Sequence, residues 1–239
     1  MNILDALAPA RRRGTELLDD PAADAALATR SLRDVARANW WFGGTSAVIA
    51  ELKPLLRAAG NTAGNSTSFT LLDVGTGAGD IPALARRVAT RSGVRLETVG
   101  VELTPALAAA STARGGHAIA ADARTLPLAD ASVDVVTCSQ VLHHFEAAEA
   151  ATLLAEMTRV ARKRVIVADI RRAWAAAAGL WAASWALGFH PVSRHDGVLS
   201  VLRGFRAHEL ADTVLAATGR TPVVHNRRGF RVTASWSPR

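Results

Sequence analysis

The chain contains a single cysteine, Cys138, and this scarcity excludes several classes of protein. One thiol cannot form an internal disulfide, and it cannot supply the repeated thiolate ligands of a structural zinc site. The histidines offer no H-x-x-x-H pair either, so we predict that the protein binds no metal. Because a chain without disulfides suits a reducing compartment, we expect a cytoplasmic protein.

Lysine is also scarce, since Lys53 and Lys163 are the only lysines among 28 basic residues. This bias accompanies abundant alanine and is typical of a coding preference, so the net charge of +7 is weak evidence for an anionic partner. The arginines are scattered, and their longest run is Arg11-Arg12-Arg13. The charge pattern therefore does not favour a nucleic-acid partner.

Long apolar runs are missing as well. The nearest is the segment 172–189, in which Trp174, Trp181 and Trp185 stand in an alanine background. It falls short of the roughly 20 strongly apolar residues that a membrane span needs, so we predict no transmembrane segment. The first residues also lack the basic and then apolar pattern of a secretory signal. We predict a buried helix at 172–189, with its Trp rings either in the core or around a substrate.

A glycine-rich turn is the strongest feature that is present. An apolar run at 69–74 passes through Gly75, Gly77 and Gly79 into a helical pattern. Alternate glycines let the backbone bend sharply and lie against a ligand, with its N–H groups directed outward. A dinucleotide fingerprint would place a small residue at position 80, where Asp80 stands instead. The pattern therefore predicts a strand, a ligand-binding turn and a helix. The ligand of this turn is not expected to contain a diphosphate.

Acidic residues follow this strand pattern at three places. Asp73 precedes the first glycine, Glu102 ends a second strand-like run at 95–101, and Asp122 follows a third at 117–121. Open α/β sheets bind ligands beyond the carboxyl ends of their strands, although Glu102 and Asp122 could instead cap helices.

The arrangement D-x-G-x-G-x-G with these acids resembles the first motifs of class I S-adenosylmethionine (SAM) dependent methyltransferases. In that family the first acid helps to hold the methionine end of SAM, the second binds the ribose hydroxyls and the third binds the adenine amino group. The resemblance implies SAM as the cofactor and S-adenosylhomocysteine as its product. The implied cofactor residues are Asp73, Gly75, Thr76, Gly77, Gly79, Glu102, Leu103, Asp122, Ala123, Ser139 and Gln140.

Strands and helices alternate along the rest of the chain. Strand-like runs at 133–138 and 164–170 and a closing hairpin at 222–234 predict a mainly parallel sheet with right-handed crossovers. By resemblance, the fold class is α/β: a Rossmann-like, seven-stranded class I methyltransferase sheet with helices on both faces. We divide the chain into an N-terminal helical cap at 1–60 and a SAM-binding domain at 61–239, with a helical substrate lid inserted at about 171–206.

Local signals refine the N-terminal part. Asp20-Pro21 is a typical helix start, Thr45 is a candidate cap for a second helix, and the polar stretch 61–68 reads as a linker. The aromatic run Trp40-Trp41-Phe42 ends the first helix and either fills the core or forms part of a lid.

In the methyltransferases that the chain resembles, the loop after the fourth strand borders the methyl group, so the chemistry is expected there. A histidine is a suitable base there because its unperturbed pKa is near neutrality, so His143 and His144 are candidates, with a purely structural pair as the alternative. Asp169 could orient that base or cap a helix. In the polar segment 190–197, His195 with Asp196 could assist a base and Arg194 could bind an anionic acceptor, unless the segment is a loop held by its own salt bridge. The candidate catalytic residues are His143, His144, Asp169 and His195, and the candidate substrate-binding residues are Trp41, Trp181, Trp185 and Arg194.

Within the superfamily the chain resembles ubiquinone/menaquinone-type and small-phenol methyltransferases. Its segment 16–21 with Gly43-Gly44, and its segment 190–197, resemble a bacterial subgroup associated with polyketide-derived phenols. This implies O-methylation of a small aromatic acceptor (phenolic, polyketide or quinone-like) in secondary metabolism. The alternatives are C-methylation of a quinone-type ring, an RNA methyltransferase and a SAM-binding regulator without activity. Ser139-Gln140-Val141-Leu142 is unlike the Asn/Asp-Pro-Pro-aromatic motif of base N-methylation. The oligomeric state stays open, a homodimer included.

Overall fold

The computed structural model describes residues 8–12, 14, 16–17, 25–62, 68–103, 105–112 and 116–239. The helix start predicted at Asp20-Pro21 and most of the linker predicted at 61–68 lie outside the described residues.

A seven-stranded sheet with the order β3-β2-β1-β4-β5-β7-β6 forms the centre of the molecule. The first five strands in this order run parallel, and β7 runs antiparallel to both of its neighbours. This confirms the predicted fold class. The chain reverses its direction of progress between β1 and β4, which opens a crevice at the carboxyl ends of those strands. The strands are β1 (Ser68–Val74), β2 (Arg95–Glu102), β3 (His117–Ala120), β4 (Val133–Ser139), β5 (Ala161–Ile170), β6 (Val223–Arg227) and β7 (Arg231–Trp236).

Helices cover both faces of the sheet, because neighbouring residues of a strand point to opposite sides. In β1, Leu71 packs toward one helical layer and Leu72 toward the other. The helices are α1 (Ala25–Trp41), α2 (Gly44–Thr62), α3 (Asp80–Arg91), α4 (Pro105–Thr112), α5 (Ala147–Val160), α6 (Trp174–Ala186), α7 (Pro191–Arg203) and α8 (Ala207–Thr218), with a short 3₁₀ turn at Leu142–His144.

Helix α2 belongs to the layer beside the sheet. It begins at Gly44, one residue before the predicted cap Thr45, and it buries Val48, Leu52 and Leu56 against the sheet. The predicted boundary near residue 60 stays a prediction, but α2 lies in the core that it shares with β1, β4 and β5.

The segment after β5 forms two helices, and here the structure corrects two expectations. Helix α6 is not buried, since Trp174, Trp181 and Trp185 are 57 to 60% exposed. Only its opposite side packs inward, chiefly through small residues. The segment 190–197 is not a loop, because it forms the first two turns of α7, which begins at Pro191. His190 caps this helix by accepting a hydrogen bond from the backbone N–H of Val192. In the part of the chain that the structure describes, no helix combines the length and the apolar character that crossing a bilayer requires.

Candidate functional site

The glycine turn after β1 adopts backbone angles that suit glycine. Gly75, Gly77 and Gly79 have φ values of 67°, 55° and 74°, in the left-handed region. The N–H of Gly75 donates to the carbonyl of Val101 at 2.9 Å, which fastens the turn to β2. A Cβ at Gly75 would lie 2.3 Å from Cγ2 of Val141, whereas a Cβ at Gly77 would meet nothing within 4 Å. Space is therefore left open above Gly77.

Glu102 ends β2 directly beside this turn. Its Oε1 accepts a hydrogen bond from the backbone N–H of Gly77, so the acid fixes the turn and does not cap a helix. Burial raises the pKa of the Glu102 carboxyl, against the stabilising effect of the Gly77 N–H.

Asp73 lies underneath the turn. It is almost fully buried, and its Oδ1 accepts a hydrogen bond from the hydroxyl of Thr137 at 2.6 Å. Burial raises the pKa of Asp73 to about 7, although that hydroxyl acts in the opposite direction.

Asp122 follows β3 and is held by an arginine. Both of its carboxylate oxygens accept hydrogen bonds from the Arg124 guanidinium, and Oδ1 also accepts from the Arg124 backbone N–H at 2.8 Å. These hydrogen bonds lower the pKa of Asp122. Arg124 also contacts Glu149, so the acid at this strand tip belongs to a local ionic network.

A cavity of about 400 Å³ lies above the turn, at the crevice between β1 and β4. Asp73 and Gly79 do not line it: Asp73 lies below the floor, and Gly79 packs near the hydroxyl of Ser111. The predicted cofactor residues that do line it are Gly75, Thr76, Gly77, Glu102, Leu103, Asp122, Ala123, Ser139 and Gln140.

A second cavity of about 410 Å³ adjoins the first, and we call it the acceptor cavity. Asn39, Gln140 and His144 line both cavities and so mark where they meet. The walls of the acceptor cavity are mainly apolar and come from α1 and the turn after it, the end of β5, α6, α7 and the β6–β7 turn. Its apolar lining includes Phe42, Ile170, Leu180, Val201 and Phe230.

His143 and Asp169 form a buried pair at the edge of the acceptor cavity. Asp169 Oδ1 lies 2.7 Å from His143 Nδ1, and its Oδ2 accepts the backbone N–H of His143 at 3.2 Å. Burial acts to raise the pKa of Asp169, but the adjacent His143 and its hydrogen bonds hold that pKa below the ordinary value. The structure thus brings together two residues that are 26 positions apart in the sequence.

The other ring nitrogen of His143 faces Glu16. Nε2 is buried without a hydrogen bond in the described part of the chain, 3.7 Å from Glu16 Oε1. The His144 ring stacks on that of His143, with centroids 4.3 Å apart. Arg203 donates to the carbonyls of both histidines at 3.1 and 2.8 Å and so fixes the turn that carries them.

Glu16, His143 and His144 also place ligand atoms within 4.8 Å of one another, as a metal would require. Arg203 Nη1, however, lies 3.6 Å from the same Glu16 oxygen. Positive charge is thus already present where an ion would be needed, and the expectation of no metal stays a prediction.

Sequence reasoning missed Glu16, Arg203 and Asn39 as site residues. Asn39 accepts a hydrogen bond from the side chain of Gln140, which has an unusual left-handed φ of 57° for a residue with a side chain. The conspicuous signal for the site was the His-His pair, whereas these partners come from helices and segments far away in the sequence.

A family model described as a methyltransferase domain matches residues 72–168. That segment begins in β1 and ends in β5, so it contains the glycine turn, Glu102, Asp122 and the His143-His144 turn. The chain carries a class I SAM-dependent methyltransferase domain.

Solved structures agree with the fold of this methyltransferase. A SAM-dependent methyltransferase from Aquifex aeolicus matches with a TM-score of 0.54 at 15% identity, over 74% of this chain and 85% of that one. Magnesium protoporphyrin IX methyltransferase from Synechocystis PCC 6803, with bound S-adenosylhomocysteine, matches with a TM-score of 0.52 at 14% identity, over 81% and 83%. A SAM-dependent methyltransferase from Thermotoga maritima matches with a TM-score of 0.52 at 15% identity, over 89% and 100%. A search of curated proteins gives no significant match.

SAM is the cofactor of this methyltransferase, and the cavity above the turn fits it. The open space at Gly77 admits a ligand against the backbone. Glu102 supplies a carboxylate, and the buried hydroxyl of Ser139 has no hydrogen-bond partner among the described residues. Unsatisfied buried polar atoms in a cavity wall are typical of a site that binds a polar ligand.

The remaining predicted site residues of the methyltransferase lie elsewhere. Trp41 is 66% exposed and lines neither cavity. Trp181 and Trp185 belong to a separate groove, where Arg194 stacks over the Trp185 ring at 3.6 Å and His195 lies exposed next to Asp196. Helix α6 does wall the acceptor cavity, but through Ala176, Gly179 and Leu180 on its other side, because the Trp side chains point outward.

Proposed function

We propose that this methyltransferase methylates a hydroxyl oxygen of a small aromatic acceptor, with His143 as the general base. The observation that carries the proposal is the buried Asp169–His143 pair at the wall of a cavity that adjoins the SAM cavity. The base, the oxygen as methyl acceptor and the aromatic class of the substrate are the proposed parts.

When bound, SAM supplies an electrophilic methyl group on a sulfonium. The protein has to place the acceptor oxygen about 3 Å from that group and in line with the bond that breaks. Gln140 and His144 line both cavities, so an acceptor held against them lies next to the cofactor site. The mainly apolar walls suit an aromatic ring.

Asp169 prepares His143 for its role. A carboxylate at Nδ1 favours the tautomer with hydrogen on that nitrogen, which leaves the Nε2 lone pair free to accept the acceptor's proton. The imidazolium that forms lies between Asp169 at 2.7 Å and Glu16 at 3.7 Å, and both carboxylates stabilise its charge.

The test measures S-adenosylhomocysteine release with a panel of phenols, quinones and RNA. For the best acceptor, His143→Ala is expected to lower kcat by about 10² to 10⁴ while SAM binding by calorimetry stays close to wild type. His208→Ala, an exposed histidine on α8, is the matched control and should have no effect. If His143→Ala turns over at the wild-type rate, the base is another group; if RNA is the best acceptor, the substrate class is wrong.

A further inference from the structure

Arg231 lies at the wall of the acceptor cavity, and its guanidinium has no hydrogen-bond or ion-pair partner among the described residues. It is the first residue of β7, is 6% exposed and pairs in the sheet with Ile170 of β5. Among the described residues its guanidinium makes no hydrogen bond and no ion pair within 4 Å, and its Nε is buried and unsatisfied. A buried cation without hydrogen bonds is costly, so such a group indicates a missing ligand.

The other buried arginines show what a satisfied guanidinium looks like in this protein. Arg172 donates to the carbonyl of Pro9 at 2.8 Å, to the carbonyl of Gly204 and to the carboxylate of Glu209 at 2.6 Å. Arg203 is likewise bound to carbonyls and lies near a carboxylate. Among the buried arginines that the structure describes, Arg231 is the exception; Arg171 and Arg206 also have an unsatisfied Nε, but they are only half-buried.

Neighbouring acids do not satisfy Arg231 directly. Asp169 attracts it, but the Asp169 oxygens accept hydrogen bonds from His143 and from the backbone N–H of Ile170. Glu16, which lines the cavity, accepts the Ser200 hydroxyl at 2.7 Å and lies beside Arg203. Burial lowers the pKa of Arg231 to about 10, against that attraction, so the guanidinium is still charged at neutral pH.

We propose that Arg231 is an anion-binding subsite, and that the aromatic acceptor carries a negatively charged oxygen, as a carboxylate or an enolate, which this guanidinium binds. A planar guanidinium can hold such a group through two parallel N–H bonds, and this fixes orientation as well as position. The anchored ring would present its hydroxyl toward His143, which lines the same cavity. The proposal rests on the proposed function for the identity of the cavity, and it goes further by giving the charge of the substrate.

Binding of two matched probes tests the proposal without turnover. Salicylate carries a carboxylate beside its hydroxyl, and salicylamide has the same shape without the charge. In calorimetry with S-adenosylhomocysteine present, the wild type should bind salicylate at least about tenfold more tightly, since a hydrogen-bonded charge is worth about that much. Arg231→Met should remove this preference, and Arg231→Lys should keep part of it because charge remains but the fork does not.

Stability separates a ligand subsite from a structural ion pair. If Arg231 serves the ligand, Arg231→Met should unfold at a denaturant midpoint equal to or above that of the unliganded wild type, because an unpaired buried charge is lost. A lower midpoint together with a persisting salicylate preference would assign Arg231 to supporting Asp169 and overturn the proposal. Equal binding of the two probes by the wild type would overturn it without any variant. Preference for salicylate without methyl transfer to it would count against the proposed reaction, and not against the subsite.

Discussion

Asp73 is the residue whose location departs most from what the family resemblance implies. The resemblance implies that it helps to hold the methionine end of SAM, yet it lies below the cavity floor with Thr137. The Asp73 carboxyl therefore does not contact a ligand in that cavity, and it can act on a cationic ligand only through its electrostatic field at short range. Its influence is electrostatic and structural, since it shares the buried space under the turn with Thr76 and Glu102.

This placement predicts the pH dependence of stability for Asp73→Asn. The pKa of Asp73 is about 7 in the folded protein, whereas the ordinary pKa of an aspartate side chain, which applies in the unfolded chain, is 3.8. The folded state therefore holds the proton more tightly, and the stability gained from this falls as pH rises from about 4 to about 7. Asparagine does not ionise, so the variant should gain stability relative to wild type between pH 5 and about 8. Denaturant unfolding at the two pH values measures this, and a difference that is constant or of the opposite sign would contradict the raised pKa.

At the scale of single elements, the geometry of the glycine turn predicts different effects for alanine at position 75 and at position 77, which the family motif alone does not distinguish. Gly75→Ala and Gly77→Ala both place an alanine at positive φ, which costs about 1 to 2 kcal/mol each. Only Gly75→Ala adds a clash, with Cβ 2.3 Å from Val141 Cγ2. Gly75→Ala should therefore be the less stable variant, by at least about 1 kcal/mol. Gly77→Ala should mainly lower SAM affinity, because its methyl group enters the cofactor space.

Val141→Ala in the Gly75→Ala background provides the control for that comparison. Removing Cγ2 relieves the clash, so the double variant should lose less stability than the two single changes together. Chemical denaturation with calorimetric SAM titration gives both quantities. Additive losses, or equal stability of the two alanine variants, would show that Val141 does not crowd the turn.

The sequence predicted the elements that depend on local patterns. Apolar strand patterns that end in a glycine or an acidic residue predicted the positions of the turn and of Glu102. The pattern of the fourth strand predicted the loop that carries His143. Helix α6 was misjudged because its residues, alanine and tryptophan without charge, give no amphipathic pattern; burial there is decided by which side packs on α7 and the cavity. In α7, Pro191 at the first helical position was a start signal that the density of polar residues obscured.

The partners missing from the sequence interpretation belong to the scale of the whole molecule. Glu16 reaches Ser200 across 184 positions, and Arg203 reaches His143 across 60. Such contacts follow from how α7 and the N-terminal segment close over the sheet, and no spacing in the sequence encodes them. Arg231 is similar, because the lack of a hydrogen-bond partner for its guanidinium among the described residues becomes visible only in the folded structure, where it lines the cavity.

The described N-terminal residues, 8–12, 14 and 16–17, hold α7 and the neighbouring elements in place through hydrogen bonds. The carbonyls of Ala8 and Pro9 accept hydrogen bonds from Arg206 and Arg172, each at 2.8 Å. Further along, Arg11 donates to the carbonyl of Arg203 at 2.8 Å, and the N–H of Leu17 donates to Asp196 at 3.0 Å. These hydrogen bonds connect the end of β5, the start of α8 and both halves of α7 to the same N-terminal segment.

Removing residues 1–17 should therefore loosen the acceptor cavity more than the sheet. The buried Arg172 would lose one of its acceptors and His143 would lose Glu16, at a cost of about 3 kcal/mol in unfolding free energy. Hydrogen exchange should speed up in α7 while β1 and β4 stay protected, because local openings follow the loss of local contacts. In an Arg172→Met background the same truncation should lower the unfolding free energy by less than in the wild type, since no unsatisfied guanidinium is then left behind. Unchanged exchange in α7, or equal costs in the two backgrounds, would mean that the segment covers the molecule without holding it closed.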